Sequence, residues 1–154
     1  MSTPERIWFA GNLMTLLHTD GWTLLEAEMR PGHAPPLHVH HTEDEAFYVL
    51  GGSMLFKHGD EASQLGPGDS LVVKRGTPHA FRVGPGGVRA VQVATGTALA
   101  EFIREVGEPA PSATLPTEVR VDPEAVARAA ERHDMTVMGD AELTGKVNTV
   151  GSRP

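Results

Sequence analysis

Four of the chain's eight histidines fall within nine residues, HAPPLHVHH from His33 to His41, and Glu43, Asp44 and Glu45 follow almost at once. Neutral imidazole is the commonest biological ligand for divalent transition metals, and a neighbouring carboxylate contributes charge without thiolate chemistry. A metal site therefore has to be weighed against an accidental polar loop. On a strand, side chains alternate between faces, so His38 and His40 share one face while Val39 and His41 take the other. Glu45 would project to the opposite face of an unbroken strand. It can join the two histidines only if the chain breaks within HTED, residues 41–44, and a new strand starts behind it. Phe47 and Val49 then share the Glu45 face.

A second segment, GPGDSLVVKRGTPHAFRV (66–83), offers another imidazole at His79, with Phe81 and Val83 on the same side. Three imidazoles and one carboxylate suit a divalent transition metal and leave coordination positions for water or substrate. A lone H-x-H is more often a solvated loop, and Glu43 and Asp44 are rivals to Glu45. By parity His41 points away from such a site, as a surface or supporting residue. His33 reads as a turn residue near a pocket mouth. His18 and His58 border turns and His133 ends a helix, so all three are expected to be exposed.

The elements that would have to position these groups are short and β-rich. Asp20-Gly21 between LMTLLHT and WTLLEAEM is a hairpin signal. Turns are expected at Pro31-Gly32, Gly51-Gly52, His58–Asp60, Gly66–Asp69, Arg75-Gly76 and Gly84–Gly87, separating AFYVL, SMLFK, SLVVK, HAFRV and VRAVQVA. Many short strands between Gly/Pro turns predict an antiparallel sandwich or barrel. Beyond Ala94 the pattern changes. Leu99, Phe102, Ile103 and Val106 have helical spacing, with Thr97 as cap and Gly107 as stop. Glu108–Pro116 reads as an extended linker, Asp122-Pro123 opens a second short helix, and the chain from Glu142 onward is expected to be mobile. The division is 1–107, a β-domain with a closing helix, and 108–154, linker, short helix and tail.

Composition narrows the function classes. The 154 residues, 40% of them hydrophobic, suit a sizeable core, and the net charge of −7 argues against binding nucleic acid or an anionic membrane. The absence of cysteine excludes disulfides, zinc–thiolate sites and a cysteine nucleophile. No apolar run approaches the roughly twenty residues of a membrane span, and the N-terminal MSTPERIWFAG lacks a signal-peptide core, which predicts a cytoplasmic protein.

The full spacing is Gly32-x5-His38-x-His40-x4-Glu45-x6-Gly52, followed by Gly68-x7-Gly76-x2-His79. It resembles the two-part signature of the cupin superfamily over about residues 30–95. The first part is complete. The second has Lys74 where the family usually has proline and Val83 where it often has asparagine, neither a metal ligand. The spacing fits Glu43 and Asp44 less well than Glu45. The resemblance implies an all-β cupin-type antiparallel β-barrel (a double-stranded β-helix or jelly roll) with one divalent metal held by His38, His40, Glu45 and His79. The metal would be iron, manganese, nickel, cobalt or zinc. Phe47, Met54, Phe56 and Phe81 are candidates for a substrate pocket, although each would serve equally well as core.

Within cupins, PPLHVHHTEDEAFYVLGG and GDSLVVKRGTPHAF look most like the quercetin-dioxygenase-like group. That implies O₂-dependent cleavage or oxidation of a small enolisable or phenolic, flavonol-like substrate, with Glu45 as both ligand and catalytic base, and a homodimer with residues before Gly32 at its interface. A non-redox cyclase or isomerase, using the metal only as a Lewis acid, and a non-catalytic small-molecule-binding module are the alternatives. The intact ligand set weighs mildly against the last.

Overall fold

The computed structural model describes residues 3–143 and 147–149. Eight strands come first: β1 (Glu5–Phe9), β2 (Asn12–His18), β3 (Thr23–Met29), β4 (Leu37–His40), β5 (Glu45–His58), β6 (Glu61–Leu65), β7 (Ser70–Val73) and β8 (His79–Ala94). Helix α1 (Ala98–Val106), β9 (Glu108–Pro109), α2 (Pro123–Arg132), β10 (Met135–Gly139) and β11 (Val147–Thr149) follow. The β2–β3 hairpin forms at Asp20-Gly21 as expected, with a register shift between Leu16 and His18.

Two of the expected turns are not turns. Gly51-Gly52 and Gly84–Gly87 lie inside single long strands, β5 of 14 and β8 of 16 residues, which pair along nearly their whole length. Bulges between Val49 and Gly51 and between Gly52 and Met54 bend this pair. Gly52 has φ 75°, and a Cβ there would collide with the carbonyl oxygen of Gly87, so the crossing tolerates only glycine. The bend carries the pair from one layer to the other. Glu45–Tyr48 of β5 pairs with β7 and with the C-terminal half of β8, which continues to β3, β2 and β1. Met54–His58 pairs with β6 and with the N-terminal half of β8, whose His79 lies opposite His38 of β4. Shared long strands feeding two layers make a jelly roll. The strands do not close into a barrel: the pairing path runs from β11 to β9 without rejoining.

The core between the layers contains Leu25, Val49, Met54, Phe56 and Leu65, all at 0% exposure. Helix α1 forms where the spacing predicts, but Thr97 gives it no side-chain cap. The carboxylate of Glu43 does so instead, accepting from Ala98 N at 2.7 Å and Leu99 N at 3.2 Å. Helix α2 starts where expected, with Pro123 in its first turn, and Asp122 caps it by accepting from Glu124 N and Ala125 N.

The segment after α1 is tied down. Ala110 N donates to Arg6 O, Trp8 Nε1 to Thr114 O and Arg30 Nη2 to Pro116 O. Strand β10, unforeseen from the sequence, pairs antiparallel with β4. Part of the segment expected to be mobile also has a place: β11 pairs in parallel with β6, since that edge still has free backbone groups to satisfy. The expectation for 144–146 and 150–154 lies outside the described residues. Among the described residues, no helix is long and apolar enough to cross a membrane.

Candidate metal centre

Strand β4 aims His38 and His40 into the space between the layers, and the chain breaks over 41–44 before β5 begins at Glu45. That break removes the parity conflict: Glu45, Phe47 and Val49 all face inward, at 3%, 3% and 0% exposure. His79 opens β8 at 2% exposure, with Phe81 and Val83 inward behind it. One potential ligand atom from each of His38, His40, Glu45 and His79 lies within 4.8 Å of the others. The four residues singled out by spacing therefore meet.

Hydrogen bonding prepares this set for a cation. The Nδ1–H groups of His38 and His79 donate to the carbonyls of Pro36 and Thr77, each at 2.9 Å, which directs both Nε2 lone pairs inward. The Nε2 of His79 then faces Glu45 Oε2 at 2.9 Å, and His40 Nε2 approaches the same oxygen at 3.2 Å. Two acceptors cannot share that space unaided, so a proton or a metal ion must sit between them. Burial lowers the His38 pKa to about 4, with the neighbouring His79 adding to it, and burial also lowers that of His40. Burial pushes the Glu45 carboxyl up, but the His79 hydrogen bond and the three surrounding imidazoles overrule it and hold it at about 2. Neutral imidazoles at His38 and His40 beside an ionised Glu45 are the protonation states a divalent metal requires. The donor set fits.

The rivals to Glu45 are occupied elsewhere. Glu43 caps α1, and Asp44 accepts from the Arg75 backbone at 2.9 Å and its guanidinium at 3.1 Å, which brings its pKa to about 2. His41 is exposed and shares a hydrogen bond with Thr136 Oγ1. His18, His58 and His133 are half-buried rather than exposed, because each finds a polar partner: Asp20 O, Ser63 Oγ and the Glu105 carboxylate.

The cluster forms part of the wall of a cavity of about 280 Å³. Phe47 and Phe81 line it, but Met54 and Phe56 do not. These last two are at 0% exposure in the core, with Phe56 stacked behind His79 at 5.9 Å and behind Phe81 at 5.6 Å. An inward aromatic on a long strand can be core or lining, and residue type alone does not separate the two. The sequence reading missed Gln92, whose Nε2 donates to Glu45 Oε1 at 2.8 Å. Its only signal was inward parity on β8 in register with Phe47. Also missed were the apolar lining residues from β10, among them Met135 and Val137. His33, read as a turn residue, lines the cavity.

Fold and site together define a jelly roll that gathers three histidines and a carboxylate at the wall of an internal cavity. Residues 25–93 match the family model described as the cupin domain. Over that segment the chain is a cupin domain. Over 102 residues it is 30% identical to the quercetin 2,3-dioxygenase of Bacillus subtilis (strain 168), a match covering 66% of this chain and 30% of that protein. The chain thus spans under a third of the curated relative it matches. Among solved structures, an RmlC-like cupin from Shewanella frigidimarina superposes with a TM-score of 0.57 at 19% identity, covering 64% of this chain and 89% of that one. A cupin-superfamily sugar phosphate isomerase from Silicibacter pomeroyi gives 0.56 at 18% identity, covering 62% and 73%. These likenesses concern the fold.

Proposed function

We propose that the protein is a metal-dependent dioxygenase that cleaves or oxidises a small enolisable or phenolic substrate with O₂. The observation that carries this reading is the convergence of His38, His40, Glu45 and His79 on one point of a cavity otherwise walled mainly by apolar side chains. When bound, a divalent iron, manganese, nickel, cobalt or zinc ion acidifies an enol or phenol and, where redox-active, opens it to O₂. His38, His40, Glu45 and His79 would hold the ion, with the rings of His38 and His79 fixed by the carbonyls of Pro36 and Thr77. Glu45 keeps Oε2 among the histidines and takes the substrate proton at Oε1, the oxygen that Gln92 orients. Phe47 and Phe81 bound the substrate space and exclude water from it. The likeness to a quercetin 2,3-dioxygenase supports the reaction class.

A non-redox cyclase or isomerase is the second reading, since the same ligands serve a Lewis acid equally well. The cavity favours an apolar substrate in either case. Among the described residues no lysine or arginine lines it, so no cationic side chain there would hold a phosphate. The proposal includes a cytoplasmic location and a homodimer; exposed Leu17 and Trp22, both before Gly32, support the dimer.

Metal analysis of the purified protein, followed by oxygen uptake over phenols and flavonols, tests the reading. One divalent ion per chain and O₂ consumed in proportion to substrate are expected. Turnover without O₂ uptake would establish the Lewis-acid reading instead. Replacing His38, His40 or His79 singly by alanine should sharply lower metal occupancy. Retention of full metal in His79→Ala with loss in His41→Ala would overturn the assignment.

A further inference from the structure

Among the described residues, six polar side chains line the cavity: His33, His38, His40, Glu45, His79 and Gln92. Four form the cluster, and Gln92 is committed to Glu45. His33 stands apart. Its backbone is anchored, with the carbonyl accepting from Val83 N at 2.8 Å and the amide donating to Arg30 O at 3.2 Å. Its ring packs near Phe81, at 6.0 Å between centroids. Among the described residues, nothing hydrogen-bonds the imidazole. The half-buried ring has no protein partner and keeps some contact with solvent, so its polar atoms are available to a ligand with a matching group.

Position along β8 sets the distance from the cluster. His33 lies beside Phe81 and pairs with Val83, two and four residues past His79, which at about 3.3 Å per residue places it roughly 7 to 13 Å along the strand. The wall between is apolar and aromatic, with Phe47 and Phe81 6.3 Å apart.

We infer that His33 is a specificity-determining residue that hydrogen-bonds a hydroxyl at the far end of a rigid, elongated aromatic ligand whose near-end oxygen lies at the His38–His40–Glu45–His79 cluster. This deepens the proposed function and rests on its placement of the substrate oxygen at the cluster. Burial and the charge of Arg30 hold the His33 pKa at about 4, so the ring is neutral near pH 7 and can both donate to and accept from a hydroxyl. A volume of about 280 Å³ lies just below the usual range of ligand sites, about 300 to 1,000 Å³, which suits a fused two-ring molecule.

The test is a matched pair of probes, 2,6-dihydroxynaphthalene and 2-naphthol, titrated calorimetrically into protein loaded with redox-inert zinc. The diol should bind about three- to tenfold more tightly, as expected for one net hydrogen bond. In His33→Phe, which keeps a ring but loses the polar atoms, the ratio should fall to about one at unchanged zinc content. His33→Gln should restore part of it. Equal binding of the two probes by the parent protein, an undiminished ratio in His33→Phe, or no binding of either probe would overturn the assignment. Repeating the titration after chelation separates the two ideas. A His33-dependent preference in protein that takes up no metal would remove the dioxygenase reading and leave the His33 contact standing.

Discussion

The two sides of the cavity differ in kind. Every polar side chain that lines it comes from before Ala94, on the jelly-roll strands or the loop leading into β4. From Leu99 onward the lining among the described residues is wholly apolar, supplied by α1, α2, β10 and Val119 and Val121. Reactive groups therefore sit on paired strands, the short β4 and the long β5 and β8, whose backbone hydrogen bonds hold side chains to within the tolerance that ligand geometry demands. The later elements close the space and shape it. Polar recognition and apolar enclosure then occupy separable parts of the chain, and substitutions on the two sides should fail differently.

The largest effect should come from Glu45→Gln. Glutamine still offers a carbonyl oxygen to a cation but cannot take a proton near neutral pH. With metal measured on the same sample, turnover per bound metal should fall about a hundred- to ten-thousandfold. Activity per metal near that of the parent would remove Glu45 as the base. Next come two phenylalanines on opposite sides. Phe56→Ala deletes a ring at 0% exposure that backs both His79 and Phe81, and should cost about 3 to 5 kcal/mol in denaturant unfolding. Phe102→Ala, at 8% exposure beside the cavity and in edge contact with Phe9, should cost less and mainly weaken ligand binding. Equal stability losses with unchanged binding would dissolve the division between the two sides.

Truncation gives a smaller and more graded effect. Ending the chain after Arg132 removes β10, whose Met135 and Val137 pair with His40 and His38, and metal occupancy should drop. Ending it after Gly139 keeps that strand and should leave metal content intact. Loss of metal in the longer product would show that β11, paired to β6, matters to the site.

The candidate site was more readable in the sequence than its enclosure, for physical reasons. Strand parity places His38, His40 and His79 with few assumptions, and HTED is polar enough to mark the break that frees Glu45. The Gly51-Gly52 pair misled because glycine serves turns and bulges alike; only its neighbour across the sheet, Gly87, decides between them. Glu43 carries no local sign that it will cap a helix 55 residues away. Strand β10 is five residues long and gains its pairing only once β4 presents a free edge. Local pattern records periodicity, and it is silent about partners distant in sequence.

The smallest predicted effect concerns His33, and its sign follows from linkage. The pKa is held at about 4 in the folded chain, through burial first and Arg30 second, against an ordinary value of 6.5 once unfolded. Above that ordinary value both states are neutral and His33 adds no pH dependence. As the pH falls through the window down to about 4, the unfolded chain takes up a proton that the folded chain refuses, so stability is lost on acidification. One proton sets a ceiling of about 1.4 kcal/mol per pH unit, and partial exposure of the imidazole keeps the effect below it. Urea unfolding of parent and His33→Gln, both with chelator present so that metal release does not enter, isolates this contribution. The parent should lose stability relative to the variant as pH falls through that window. Parallel curves would mean that water reaches His33 freely, which would also weaken its role as the polar contact inside the cavity.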